Sequence, residues 1–164
     1  MEITQTAATW FFPFALPICL WVAYTDLKLM KILNLAVLAL IAVFVVIGPL
    51  ALPFDAYLWR YAHFLVILAL GVGLNAAGLV GAGDAKFAAA AAPFVALGDI
   101  RLLLVILAFT LVAGFAAHRL GKHTRLRNLA PHWESWHREG KYPMGLSLGG
   151  ALAIYLGLGF CYGA

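Results

Sequence analysis

Long apolar runs are the feature that most constrains this chain. Two of them extend from Thr9 to Thr25 and from Ile32 to about Leu52, and two more from Tyr61 to Val80 and from Leu102 to Leu120. A helix that crosses a bilayer needs about 20 predominantly apolar residues, and its backbone polar groups must be hydrogen-bonded within the protein. Each of the four runs is therefore predicted to be a membrane-spanning helix.

Two further segments bring the predicted number of spans to six. Ala85 to Leu97 holds 13 residues. As a helix it would cover about 20 Å of a hydrocarbon core of about 30 Å, so one of its ends should lie below the membrane surface. Met144 to about Tyr162 is rich in glycine, which suits close helix packing. The predicted fold is an all-α polytopic membrane protein with about six transmembrane helices in a single domain, residues 1–164.

Composition excludes several classes of protein. Of the 164 residues, 65% are hydrophobic and only 11% are charged, and the mean hydropathy is +0.96. After six spans and their loops, no length is left for a separate nucleotide-binding or methyltransferase domain. The net charge of +4 comes from basic residues in the loops between apolar runs. Membrane lipids with anionic head groups, and not nucleic acid, are therefore the expected partners of these residues.

Neither the cysteines nor the first residues indicate a metal or a cleaved signal. Cys19 and Cys161 lie in apolar segments at different expected depths and form no CxxC pair, so zinc binding and a disulfide are not expected. Glu2 precedes the first apolar run and no basic residue does, unlike a cleavable secretory signal. The first run is therefore expected to remain as a helix.

The distribution of basic residues predicts the orientation of the spans. With six spans, the loops after the first, third and fifth share one side, and the other side holds only Arg60 and Arg101. The first side holds nine basic residues: Lys28, Lys31, Lys86, Arg119, Lys122, Arg125, Arg127, Arg138 and Lys141. Because cytoplasmic loops are enriched in lysine and arginine, that side is predicted to face the cytoplasm, with both termini outside.

Two acidic residues stand out by position. Asp26 and Asp84 border apolar helices on the predicted cytoplasmic side, and Asp84 follows Gly81 and Gly83, which permit unusual backbone torsions and close approach of another chain. Ionisable groups near membrane depth are functional candidates. The other five acidic residues are interpreted as loop or terminal residues in water: Glu2, Asp55, Asp99, Glu134 and Glu139.

Two carboxylates within a few ångströms of each other share one proton. The ionised partner can then deprotonate a water while the protonated partner polarises a carbonyl, which is the chemistry of an aspartic peptidase. The alternative is that Asp26 and Asp84 each cap a helix or pair with Lys28 or Lys86. Spacing and topology alone leave both interpretations open, since they do not show that the two helices touch.

Three segments resemble signatures of one known family, the type IV prepilin peptidases, which are GxGD-type aspartic membrane peptidases. Asp26 to Asn34 (DLKLMKILN) is similar to the DxxxxxIPN signature, and Gly81 to Ala89 (GAGDAKFAA) is similar to GxGDxKLxAA. Tyr142 to Gly145 (YPMG) resembles the P-aromatic-G element before the last helix. The three elements occur in the family's order, and the resemblance covers about 140 residues, from Asp26 to the last helix.

The resemblance implies an activity and a substrate class. It implies that Asp26 and Asp84 are catalytic, with no metal and no cofactor. Membership implies a prepilin or pseudopilin substrate, cut at the cytoplasmic face of the inner membrane between a short basic leader and a hydrophobic helix. Without the amino-terminal extension and cysteine tetrad of the bifunctional members, the chain resembles the short branch that serves tight-adherence (Flp-type) pili or related secretion systems.

Four residues of the signatures are expected to support the catalytic pair: Gly81, Gly83, Lys86 and Asn34. Lys86 is expected either to position the pair or the substrate backbone, or to be a lipid-facing lysine that snorkels to the surface. Asn34 taken alone would be a polar group at a helix start. The departures from the signatures are Leu33 for proline, Phe87 for leucine and Met144 for an aromatic residue, and they bear on substrate preference.

The long polar segment Gly121 to Tyr142 carries Trp133 and Trp136, which predict an interfacial helix or loop. Four histidines lie in or beside this segment: His118, His123, His132 and His137. Each pair is five residues apart, which misses the spacing that places two ligands on one helix face. No carboxylate stands convincingly among them, so no metal site is expected.

Two other classes of function stay open on the sequence. One is a small proton- or cation-coupled transporter that uses Asp26 and Asp84 as intramembrane carboxylates. The other is a non-catalytic assembly subunit packed through its glycines and alanines. The absence of an inverted repeat and the three ordered signatures argue against the transporter. Two carboxylates retained at helix ends argue against the assembly subunit.

Overall fold

A computed structural model describes residues 1–138 and 140–164, with the side chain of Leu126 also left out, and shows an all-helical chain. Glu139 therefore lies outside the described residues. The helices are α1 (Gln5–Leu29), α2 (Asn34–Ala51), α3 (Phe54–Ala76), α4 (Ala82–Ala91), α5 (Ile100–His123), α6 (Glu134–His137) and α7 (Met144–Tyr162). Over the described ranges, five are long and apolar enough to cross a membrane: α1, α2, α3, α5 and α7. The predicted all-α multi-pass fold is confirmed.

The third and fourth helices differ from the predicted segments. Helix α3 begins at Phe54 and not at Tyr61, because Pro53 is its N-cap residue and Asp55 lies in its first turn, where a negative charge is favourable. Helix α4 ends at Ala91, because Pro93 cannot continue an α-helix, and short 3₁₀ turns follow at Ala92–Phe94 and Leu97–Asp99. The chain therefore leaves α-helical structure well before Leu97, where the predicted fourth span was to end.

Small residues allow the helices to pack closely, as the glycine and alanine content predicted. A Cβ atom at Gly149 of α7 would lie 2.8 Å from the carbonyl oxygen of Cys19 in α1, and one at Gly71 of α3 would lie 2.9 Å from the Cβ of Ala85. Helices α1 and α7 run antiparallel, since Asp26 contacts Gly145 at one end. The longest helix and the last helix thus form the centre of the bundle.

The non-helical stretch after α4 is bonded to side chains of other helices. Arg60 of α3 donates through Nη1 to the carbonyl of Pro93 at 2.9 Å. The backbone N–H of Ala96 donates to the Tyr155 hydroxyl of α7 at 3.1 Å. Irregular backbone at membrane depth is tolerated only where the protein satisfies its polar groups. These two bonds allow the short fourth segment to cross the bundle without a full-length helix.

The bundle has two chemically different ends. We call the end where α1, α3 and α5 finish and α2, α4 and α7 begin the basic end, because the nine basic residues of the first side lie there. At the opposite end the N–H of Gln5 donates to the carbonyl of Ala164, and Glu2 contacts Gly98 before α5. Asp26 and Asp84 both lie at the basic end, as the topology predicted.

Candidate active site

Asp26 is placed by the last turn of α1 and by the end of that helix. The helix stops at Met30, whose left-handed backbone (φ 52°) directs its N–H to the carbonyl of Asp26 at 2.9 Å. The Asp26 side chain is buried, at 5% exposure. Its Oδ2 accepts a hydrogen bond of 2.6 Å from the backbone N–H of Gly145 at the start of α7. The carboxyl group is therefore held between two helices by a main-chain donor.

Gly145 leaves no room for a side chain. A Cβ atom there would lie 2.9 Å from both the Cβ and the Oδ2 of Asp26. The start of α7 is fixed by Tyr142, whose hydroxyl lies 2.6 Å from the Oγ of Ser147, and Ser147 Oγ donates to the carbonyl of Thr110 in α5 at 2.8 Å. The third signature element thus supplies the donor that contacts Asp26.

Asp84 lies in the first turn of α4, half-buried, just after the two signature glycines. A Cβ atom at Gly81 would lie 2.6 Å from Oδ2 of Asp84, and one at Gly83 would lie 3.3 Å from the Cβ of Ile32. Gly81 has an ordinary extended backbone (φ −65°, ψ 143°) and Gly83 is helical. Neither glycine uses the unusual torsions that glycine permits, but Gly83 does allow the close approach of another segment, at Ile32.

The two carboxyl groups are close enough to affect each other's ionisation. Burial, and then the negative charge of Asp26, raises the pKa of Asp84 from 3.8 to about 6. A raised carboxyl pKa beside a second carboxylate is the arrangement in which one proton is shared between two groups. Near pH 6, the pair can present one acid and one base to a substrate.

Asn34 and Lys86 contact each other and not the carboxyl pair. The Nζ of Lys86 donates to Oδ1 of Asn34 at 3.2 Å, and both side chains are exposed. Lys86 follows Asp84 by two residues in α4, a spacing that directs the two side chains to different faces of a helix. The structure thus places the four expected supporting residues in two groups, with Gly81 and Gly83 beside Asp84, and Asn34 and Lys86 on the far side of α4.

An apolar groove of about 500 Å³ runs along α4 on the side that faces α3, α5 and α7. On α4 its wall includes Ala88 and Ala91, which follow Asp84 at helical spacings of four and seven residues. On α7 it includes Leu148 and Leu152, which follow Gly145 at three and seven residues. The groove therefore continues the face of α4 that carries Asp84 and the face of α7 that carries Gly145, the donor to Asp26.

The segment between α5 and α7 is packed onto the bundle. Trp136 is 8% exposed, stacks on His118 of α5 with ring centroids 5.0 Å apart, and donates through Nε1 to the carbonyl of Ala130 at 2.9 Å. Trp133 stacks on Trp136 and contacts the Tyr24 ring of α1 edge-on at 6.1 Å. The sequence predicted that both tryptophans lie at the membrane interface. In the structure, Trp136 is instead buried inside the protein, against His118 of α5.

The histidines of this segment are dispersed. His118 lies under Trp136, while His137 contacts Arg127 and the carbonyl of Pro131. In the part of the chain that the structure describes, no three His, Cys, Asp or Glu side chains are grouped closely enough to hold a metal ion.

Asp99 is buried, at 5% exposure, and is not the solvated loop residue that the sequence suggested. Its Oδ1 accepts from the N–H of Glu2 at 2.8 Å. Its Oδ2 accepts from the N–H of Ile3 and from the Tyr155 hydroxyl, each at 2.9 Å. Asp99 therefore joins the first residues to α7 at the opposite end of the bundle. Sequence reasoning missed this role because Glu2 and Tyr155 are distant from it along the chain.

Comparisons of this chain with protein families, with curated proteins and with solved structures find no match. Its function is therefore inferred from the residues of the site.

Proposed function

We propose that this chain is a membrane-embedded aspartic endopeptidase that removes the leader from prepilin or pseudopilin substrates, with Asp26 and Asp84 as the catalytic pair. The observation that carries the proposal is the position of the two carboxyl groups, which come from helices α1 and α4 and lie at the same end of the bundle, where burial and the charge of Asp26 raise the pKa of Asp84. The resemblance of three sequence segments to prepilin peptidases supports it, because all three contribute atoms to this one place.

The carboxyl pair can perform peptide hydrolysis with one shared proton. Asp26, which accepts the N–H of Gly145, acts in its ionised form as the base that takes a proton from the attacking water. Asp84, whose pKa is raised to about 6, supplies the proton that the carbonyl oxygen of the substrate receives. The C–N bond of the resulting gem-diol intermediate then breaks as Asp26 returns its proton to the leaving amine. Asp84 takes back a proton from one of the two hydroxyl groups, which leaves the carboxylic acid product and restores the pair. No metal or cofactor enters this mechanism.

The apolar groove along α4 suits the hydrophobic helix that follows the leader in such a substrate. Its wall carries Ala88, Ala91 and Ala151, and small side chains permit close approach of another helix in a membrane. A helix lying in the groove would extend from the carboxyl pair toward the opposite end of the bundle. The scissile bond would then sit at the basic end, just before the helix enters the groove.

The orientation follows from the charges. Nine of the eleven lysines and arginines lie at the basic end, so we propose that this end faces the cytoplasm in the inner membrane. Prepilin leaders are themselves basic, so charge alone would not attract them to this end. Recognition would rest on the groove and on the geometry of the carboxyl pair.

The test is cleavage of a prepilin by the purified protein in lipid vesicles. Asp26→Asn and Asp84→Asn should each reduce cleavage by at least 1,000-fold, an effect of the order expected when a catalytic group is removed. The double variant should be scarcely worse, because the two groups act as one unit. Asp55→Asn is the matched control, since Asp55 is exposed in the first turn of α3 at the opposite end.

Cleavage by either single variant at near the wild-type rate would refute the peptidase. A pH-gradient-driven uptake of cations that both variants abolish would instead identify a transporter. The yield of each variant after extraction from the membrane measures its insertion. A variant with normal yield and no cleavage has lost catalysis and not folding.

A further inference from the structure

A second groove lies on the other side of α4 from the carboxyl pair. It has a volume of about 360 Å³. The walls are apolar, and at the basic end they are closed by two polar side chains, Asn34 and Lys86. The wall residues come from α2 and α3: Val37, Leu38, Ile41, Phe64 and Leu68.

The ammonium group at the mouth of this groove has no carboxylate partner among the described residues. Over those ranges the one ion pair joins Arg138 to Glu134. Lys86 donates one of its three N–H groups to Asn34, which directs the ammonium toward α2. Two N–H groups of Lys86 are therefore left to bind an anion at the membrane surface.

The groove is long enough to cover about two thirds of the apolar depth of one leaflet, which is half of a hydrocarbon core of about 30 Å. Asn34 and Ile41 are seven residues apart in α2, which corresponds to about 10 Å along the helix axis. The groove thus begins at the basic end, where head groups would lie, and continues toward the centre of the bundle between apolar walls. A soluble anion would contact only its mouth, whereas a lipid would contact its whole length.

We propose that this groove binds one glycerophospholipid with an anionic head group. The phosphate would accept hydrogen bonds from Lys86, and one acyl chain would lie against Leu38, Ile41 and Phe64. The bound lipid would connect the start of α2 to Lys86 of α4, two residues after Asp84. The site does not depend on the peptidase proposal, because it lies on the face of α4 away from Asp26.

The experiment measures lipid retention by native mass spectrometry on the delipidated full-length protein. Phosphatidylglycerol, which is anionic, should bind as one tightly held molecule and at least fivefold more tightly than zwitterionic phosphatidylcholine. Lys86→Gln should weaken phosphatidylglycerol binding at least fivefold. Lys31→Gln is the matched control, because Lys31 is exposed at the same end and does not line the groove, and it should change binding less than twofold.

A second pair of variants tests the apolar walls without changing charge. Leu38→Trp should fill the groove and weaken binding at least fivefold, whereas Leu35→Trp should not, since Leu35 is exposed on α2 outside the groove. Inorganic phosphate at millimolar concentration should not displace the lipid. Each variant is compared after gel filtration. A charge variant that fails to elute as the wild type is replaced by alanine at the same position, and a tryptophan variant that fails is replaced by phenylalanine at the same position.

Three outcomes would contradict the proposed lipid site. Equal losses in Lys86→Gln and Lys31→Gln would show diffuse charge attraction, and unchanged binding in Leu38→Trp would show lipid held elsewhere. Unchanged lipid binding in Lys86→Gln, combined with weaker binding of a prepilin, would assign the groove to the substrate. The lipid result is independent of Asp26 and Asp84, so loss of cleavage in their variants leaves it standing.

Discussion

The backbone N–H of Gly145 donates to Oδ2 of Asp26 at 2.6 Å and joins two residues that are 119 positions apart. The bond connects the last turn of the first helix to the first turn of the last helix. A main-chain donor cannot rotate away as a side chain can, so the Asp26 carboxyl group is held against the start of α7. The bond thereby holds one oxygen of Asp26 in a defined position, and fixed positions of this kind are what a catalytic carboxyl group requires.

Replacing Gly145 with alanine should disturb this orientation. The added Cβ would lie 2.9 Å from Asp26, and overpacking of this kind costs about 1–3 kcal/mol. We expect kcat/KM for prepilin cleavage to fall at least tenfold. Gly150→Ala in the same helix is the control, because its Cβ would meet only Thr110 Cγ2 at 3.9 Å. Equal activity in the two variants would contradict a positioning role for Gly145.

The raised pKa of Asp84 predicts the alkaline side of the pH profile. Because its pKa is about 6, the proton that the pair shares is lost as the pH rises above that value. We expect kcat/KM to fall about tenfold per pH unit well above pH 6. Initial rates between pH 5 and 9 in vesicles would measure it. A profile that is flat from pH 6 to pH 9 would show that Asp84 does not need its proton.

The raised pKa of Asp84 also predicts that the folded protein becomes less stable as the pH rises, as expected for a buried carboxylic acid. The folded protein binds the proton of Asp84 more tightly than the unfolded chain, whose ordinary value is 3.8. Stability should therefore fall by about 1–2 kcal/mol as the pH rises from 4 to 7, relative to Asp84→Asn. Thermal unfolding in detergent at several pH values would measure the difference between the two proteins. A constant difference would contradict the raised pKa.

Asp99→Asn should destabilise the protein, unlike the surface change Asp55→Asn. An amide has one acceptor oxygen, whereas Asp99 accepts bonds through both oxygens, from Glu2, Ile3 and Tyr155. Leaving a buried donor unpaired costs about 1–3 kcal/mol, while an exposed substitution usually changes stability by less than about 0.5 kcal/mol. Melting temperatures of the two variants in the same detergent would compare them. Equal melting temperatures would show that the Asp99 contacts contribute little.

Leu33→Pro should be tolerated and slightly stabilising. Leu33 is the N-cap residue of α2 with φ −73°, close to the value at which proline is fixed. Proline there restricts the unfolded chain, so we expect a gain of about 0.4–1 kcal/mol. Leu38→Pro, inside the same helix, should instead cost about 3 kcal/mol or more. A large loss of stability in Leu33→Pro, measured by thermal unfolding, would contradict the backbone geometry at this position.

Some of the site could be anticipated from sequence because its determinants are local. Asp26 and Asp84 stand at the ends of apolar runs, and the spacing of those runs places them at the same end of the bundle. The last helix, Met144–Tyr162, also begins and ends where its apolar run predicted. Membrane insertion depends on the summed hydrophobicity of about 20 consecutive residues, which a sequence shows directly.

Other features were decided by packing between distant segments. The burial of Asp99, the contact of Lys86 with Asn34 and the burial of Trp136 each join residues from different helices. No local window contains both partners. Their proximity depends on how the helix faces meet.

The sequence by itself determined the helical membrane-spanning architecture, the charge difference between the ends and the two candidate carboxylates. Only the tertiary structure decided that Gly145 binds Asp26 and that the chain after Ala91 crosses the bundle as turns bonded to Arg60 and Tyr155. Hydrophobicity adds up along the chain, so it can be summed from residue types alone. A hydrogen bond between two helices depends instead on distances of a few ångströms, which are set only when all the helices have packed.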